Sequence, residues 1–292
     1  MNTALPTDLR RRTLSVREAR SLGVSPKRLR GPGVARPFHG AVTTAPPQTL
    51  DERCRAFLAV APPGAFFSGP TAAALHGLPL PRLPSGLHVS VPAPARAPRR
   101  AGVHGHSVRV AFGDVVVQDG LQLSAPSRAW CELAGTLALE DLVVAGDALL
   151  RNSGERDPRR SLRAALDRSV ARRGRPDLVK ALGLLDPRAA TPEESRLRFR
   201  LADAGIIGYE TAFPIRTGSG RAHPGGLVFP ERRVILECRH GRTQTDRDAR
   251  DTTERRLDLQ AHGWTIVELG PHDLADPGMP RRVRAILARA RR

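Results

Sequence analysis

Two groups of residues in this chain have the types and spacing to do chemistry. Near the N-terminus, Ser15 and Ser25 stand where each can cap a short helix, with Gly23 between them suited to a left-handed turn. The second of these helices would carry Lys27, Arg28 and Arg30. Helix, tight turn and basic helix is the arrangement in which the second helix enters the major groove of DNA, polar side chains reading base edges while arginines hold phosphates. The candidate contacts are Ser25, Lys27, Arg28 and Arg30, joined by Arg36 and His39 from GVARPFHGAVTT, read as two extended pieces around Pro37 and Gly40 that form a wing. The bland counterpart is a helical hairpin with a solvated basic face. Near the other end, Glu237 closes an apolar run, VILEC, and a carboxylate entering a buried strand needs a partner, for which Arg239 is the nearest cation. Glu194 lies three residues after Thr191, where it completes a helix-capping pattern with Pro192.

Other chemistries find no support. Cys54, Cys131 and Cys238 are scattered and odd in number, without Cys-x-x-Cys spacing, so they read as small buried residues. His76, His104 and His106 have no carboxylate or cysteine spacing around them and read as surface or core histidines. There is no phosphate-binding glycine loop and no Gly-x-Ser-x-Gly elbow.

The elements that must position these residues follow from pattern. The 292 residues suffice for two or three units with their own cores. Residues 1–47 form a small helical unit, ended by Pro46-Pro47; residues 48–186 form a mixed α/β region; residues 187–292 form a third domain. The middle region predicts a helix over 51–60, strands over 87–91, 107–110 and 115–117, and helices over 126–134, 139–150 and 161–171. The third domain predicts a helix from Thr191 to Gly205, extended pieces at 209–215, 227–229 and 234–238, a polar helix over 246–262, the strand WTIVEL and a closing basic helix. The fold class is α/β of mixed α+β type, and the order α-β-β-β-α-β is that of a restriction-endonuclease-like core.

Charge fits a polyanion partner. Of 47 basic residues only Lys27 and Lys180 are lysine, and the balance against 29 acidic residues is +18. Such an arginine skew also follows from a GC-rich coding sequence, so charge alone is weak support. No run of eighteen apolar residues occurs and the N-terminus lacks a signal-like apolar stretch, so the expectation is a cytoplasmic protein without membrane partners.

Two resemblances sharpen this reading. SVREARSLGVSPKRLRGPGVARPFHGAV, followed by TAAALHGLPLP, resembles the winged-helix region of AbiEi-type antitoxins of type IV toxin-antitoxin systems. That likeness implies double-stranded DNA as a partner, with a cognate toxin or other protein as a second. TPEESRLRFRLADAG, GLVFPERRVILEC and GWTIVEL resemble the nuclease-like domain related to very-short-patch repair endonucleases. This second likeness implies a magnesium site built from a first-helix glutamate, a strand-opening aspartate and an acidic residue in the next strand. Glu194 and Glu237 match the first and last of these positions, but Gly226 stands where the aspartate belongs and Arg239 replaces a second acidic residue. Thr243 occupies the place of a downstream histidine, leaving His223, His240 or Asp246 as substitutes. The combined expectation is a DNA-binding regulator or antitoxin-like protein with an inactive nuclease-like domain and no cofactor. A magnesium-dependent endonuclease is the alternative.

Overall fold

The computed structural model describes residues 12–169, 174–217, 222–238 and 246–290. The chain is mixed α/β and separates into two compact units: residues up to 134 together with 164–172, and residues 135–163 with 173–292.

The first unit opens with β1 (Leu14–Ser15) and α1 (Val16–Ser21). Ser15 caps α1 as expected, its hydroxyl accepting from Glu18 N at 3.1 Å while Glu18 Oε2 accepts from Ser15 N at 2.8 Å. The Ser15 N–H and hydroxyl, both donating to Glu18 Oε2, hold the Glu18 carboxyl below the usual range. Gly23, at φ +81°, turns the chain into α2 (Pro26–Leu29), capped by Ser25 through Arg28 N at 3.2 Å. This helix is a single turn because Gly31-Pro32-Gly33 follows it. Leu14, Ala19, Val24, Leu29 and Val42 form a small core under the pair. The hairpin after α2 is held by Ala35 and Thr43, which exchange both backbone bonds, and β2 (Ala41–Val42) pairs with β1. Pro37 and Gly40 therefore lie in the turn of the hairpin, one step inside the extended pieces predicted around them.

The rest of the first unit is a five-stranded sheet. After α3 (Leu50–Leu58) come β3 (Phe66–Phe67), α4 (Gly69–Leu75), β4 (Leu87–Pro92), β5 (Val103–Val108), β6 (Val115–Gln118), β7 (Leu121–Ser124) and α5 (Pro126–Glu132). The sheet order is β5-β4-β3-β7-β6, with β4/β5 and β3/β7 parallel and the other pairs antiparallel. Phe38, at the hairpin turn, is buried in this sheet's core and meets Phe57 edge-on at 5.3 Å. The three histidines His88, His104 and His106 stack across β4 and β5, and His76 bonds Gln118 Oε1 and the carbonyl of Ser124.

In the second unit α6 (Leu139–Asn152) is followed by α7 (Pro158–Arg168), whose last turn belongs to the first unit, then α8 (Arg175–Leu184) and α9 (Pro192–Asp203). Helix α6 packs on α8 and α9, so residues on the N-terminal side of the boundary read at 186/187 share a unit with the C-terminal domain. Beyond α9 lie β8 (Glu210–Thr211), β9 (Pro214–Arg216), β10 (Ala222–Pro224), β11 (Leu227–Phe229) and β12 (Val234–Cys238). The stretch read as one strand over 209–215 is broken because Ala212 takes φ +54° and Pro214 has no N–H to donate. Then α10 (Asp246–Ala261) crosses over to β13 (Thr265–Leu269), and α11 (Pro271–Ala275) and α12 (Met279–Arg289) end the described chain. The main sheet runs β13-β12-β11-β8, with β12 and β13 parallel and the rest antiparallel, while β9 and β10 form a separate hairpin.

Alternation along β11 and β12 buries both faces of this sheet. Leu227, Phe229, Val234, Leu236 and Cys238 meet Leu197 and Leu201 of α9, whereas Val228 and Ile235 meet Leu259 of α10. Burial pushes the Cys238 thiol up to about 12, with Glu194, Glu193 and Glu237 adding to the shift, which leaves it inert.

Candidate nucleic-acid interface

The basic residues around α2 divide by what they touch. Lys27 is exposed, and its ammonium makes no hydrogen bond or ion pair among the described residues. Arg28 is half-buried and donates to the Pro32 carbonyl at 2.9 Å, so it ties α2 to the loop that follows. Arg30 is exposed and reaches the Pro26 carbonyl through Nε at 3.2 Å, which leaves the outer guanidinium nitrogens available. Arg36 donates from Nη2 to the Leu29 carbonyl at 2.7 Å and thereby satisfies the C-terminal end of α2. Ser25 spends its hydroxyl on the cap. His39 is exposed at the hairpin turn, and its backbone carbonyl accepts from Arg100. Helix, hairpin turn and exposed cations are thus in one small body, with Lys27 and Arg30 the side chains free to reach outward and Arg28 and Arg36 serving to shape it.

The carboxylates of the second unit are arranged differently. Glu194 lies at the start of α9, where its backbone N–H is capped by Thr191 and its Oε2 accepts from Ala190 N at 2.8 Å. Its carboxylate therefore reaches back past the cap, serving the helix entrance. Glu237, one residue from Leu236 and Cys238 on β12, projects to the opposite face, towards α10. There Arg255 donates to Glu237 Oε1 at 2.5 Å. The register neighbour of Glu237 on β13 is Glu268, paired with Arg256 at 2.7 Å. Two adjacent carboxylates on parallel strands are neutralised by two adjacent arginines of the crossover helix. Among the described residues the partner of Glu237 is Arg255; Arg239, along with His240 and Thr243, lies outside the described residues, as does the side chain of Asp246.

Gly226 lies beside the Glu194 carboxylate and the backbone of Glu237, and the backbone there excludes a side chain. A Cβ at this position would lie 2.7 Å from the Leu236 carbonyl oxygen, 3.6 Å from Glu194 Oε1 and 3.8 Å from Glu237 Cα. An aspartate cannot simply be restored at the strand opening without moving β12. We expect Gly226→Ala to destabilise the protein by about 1–3 kcal/mol, read as a lower denaturation midpoint, because a rigid carbonyl has to give way. An unchanged midpoint would show that the strand pair opens freely at this point. His223, the other described substitute ligand, is buried and donates from Nε2 to Asp258 Oδ2 at 2.8 Å, a carboxylate that also accepts from Thr217 at 2.8 Å. It joins β10 to α10.

The described residues do not assemble a magnesium site. Among the described residues no group of three His, Cys, Asp or Glu side chains is placed to hold a metal, and Glu237 already carries a guanidinium. No described helix is long and apolar enough to cross a membrane.

Comparisons with known proteins leave the family open. No family model and no curated protein matches the chain. Among solved structures, the RV2827C protein from Mycobacterium tuberculosis is similar with a TM-score of 0.41 and 15% identity, over 70% of this chain and 83% of that one.

Proposed function

We propose that this protein is a DNA-binding transcriptional regulator of antitoxin-like type, in which α1, α2 and the hairpin act as a winged helix-turn-helix. The observation that carries the reading is the pair of serine-capped helices joined at Gly23, followed by a hairpin, with Lys27 and Arg30 directed outward from α2. Lys27 and Arg30 supply the groove and phosphate contacts, while Arg28, Arg36 and Ser25 hold the helix in shape for them. A cognate toxin or another protein is the expected second partner.

The same proposal takes the C-terminal domain as a restriction-endonuclease-like fold without nuclease activity. Support comes from the Arg255–Glu237 pair and from the crowding at Gly226, which together remove the two carboxylates that would bracket a cation. Incubating supercoiled plasmid with the full-length protein and either magnesium or manganese should give no nicking above background. Cleavage that Glu237→Ala abolishes would contradict this half of the proposal and make the endonuclease the leading function. Binding of duplex DNA tests the other half.

A further inference from the structure

The Pro- and Arg-rich segment between β4 and β5 has no part in the reading above. Its conformation is fixed at three points. Gly105 of β5 lies under it so closely that a Cβ there would come within 2.0 Å of the Pro98 carbonyl oxygen, so only glycine lets the loop lie against the strand. Arg100 bridges to Val103 through the backbone. The Arg100 guanidinium then donates to the carbonyls of His39, at 2.6 Å, and Val60, at 3.3 Å. The second of these anchors is in the stretch that follows α3, and the first is in the hairpin turn, next to the buried Phe38. The loop is thereby fastened to the turn of the wing.

This arrangement encloses a cleft of about 560 Å³ lined by His39, Arg96, Arg99 and Arg100 together with Val60, Pro62, Pro98 and Ala101. No carboxylate is among the lining residues. Arg96 and Arg99 are exposed and form no ion pair among the described residues. That contrasts with Arg55, Arg128, Arg196 and Arg255, each of which meets a carboxylate. Concentrating unneutralised cations on a braced loop costs self-repulsion, and a bound anion offsets it. A planar guanidinium matches the oxygens of a phosphodiester and is indifferent to base sequence.

We propose that this cleft holds the phosphate backbone of duplex DNA, so that a duplex engaged by α2 continues past His39 onto Arg96 and Arg99. The proposal rests on the DNA-binding reading and extends its footprint by a sequence-independent contact. Arg100 is a positioning residue, because its guanidinium is committed to the two carbonyls that brace the loop.

The test uses the full chain and two fluorescein-labelled 30-base-pair duplexes, one from the DNA immediately upstream of its own gene and one of scrambled sequence, titrated across potassium chloride concentrations. Arg96→Ala with Arg99→Ala should weaken binding to both duplexes by about the same factor, at least roughly 5-fold near 100 mM salt, and should flatten the log–log salt slope by about 1.8. Arg96→Lys with Arg99→Lys keeps the charge and should restore most of the slope. An alanine pair with the affinity and slope of the unaltered protein would overturn the cleft while leaving DNA binding through α2 intact. Failure of the unaltered protein to bind either duplex would overturn both. Loss confined to the upstream duplex would also contradict the proposal, since a phosphate contact is blind to sequence.

Discussion

Replacing Arg198 with leucine should cost the second unit about 3–5 kcal/mol, because it strands a buried carboxylate. Asp147 of α6 is fully buried, and Arg198 of α9 is nearly so; Arg198 Nη2 donates to Asp147 Oδ2 at 2.9 Å, and the backbone N–H of Asp186 donates to Oδ1 at 2.6 Å. Burial already raises the Asp147 carboxyl above its ordinary value, with Arg198 and the Asp186 N–H opposing the shift. Removing the guanidinium takes away the larger of those opposing effects. The folded-state value then rises further above the unfolded one, so the folded protein binds more protons than the unfolded chain across the window above the ordinary aspartate range. Stability in that window falls as pH rises, and the deficit of Arg198→Leu should be larger at pH 7 than at pH 4. Denaturant unfolding at the two pH values measures it. The double change Asp147→Leu with Arg198→Leu should recover most of the loss, since an apolar pair of similar volume needs no partner. A single variant as stable as the unaltered protein at pH 7 would show that the pair does not hold α6 to α9.

That pair also bears on the charge balance. Helix α9 carries arginines at alternate positions, and Arg196 and Arg200 meet Asp141 and Glu140 of α6 at 3.0 and 2.8 Å. A part of the basic excess that suggests a polyanion partner is therefore neutralised inside the second unit. Lys27, Arg30, Arg96 and Arg99 are among the exposed cations that form no ion pair among the described residues and so remain available to an external anion.

Local signals carried much of the architecture. Capping residues and turn glycines made α1, α2 and α9 legible, and the apolar strands 227–229 and 234–238 were read with the bounds they have. The five-stranded sheet was only half visible. Its central strand β3 is two residues long, Phe66–Phe67, too short for any period to show, and α4 beside it is rich in Gly, Pro and Ala rather than amphipathic. Asp147 was legible in principle, as a lone carboxylate in the apolar run LVVAGDALL, but its partner lies 51 residues away and sequence spacing cannot point to it. The same holds at Glu237. The need for a counter-charge could be read from the strand, yet the cation that the described residues show there arrives from the crossover helix, 18 residues on, a distance that sequence spacing does not point to. Gly226 shows a different limit. Its position suggested a lost ligand, whereas the crowding against the Leu236 carbonyl explains why glycine is needed there at all.

Under the proposed function, α2 presents its outward cations to duplex DNA. Lys27 and Arg30 are exposed on one helical turn whose shape Ser25, Arg28 and Arg36 maintain, so reversing their charge should leave the fold intact while placing two anions against phosphates. Lys27→Glu with Arg30→Glu should weaken binding to the upstream duplex by about 100-fold at 100 mM salt, a difference of about 2.8 kcal/mol. The matched control is Arg281→Glu with Arg289→Glu on α12, which changes net charge equally and should cost no more than a few-fold. Equilibrium titration of the three proteins against one labelled duplex, over a range of potassium chloride concentrations, is the direct measurement. Affinity of the unaltered protein should fall steeply with salt, at about 0.9 per phosphate neutralised, and the loss should be confined to the α2 pair. Equal losses from both pairs, or no binding by the unaltered protein, would contradict the proposed function.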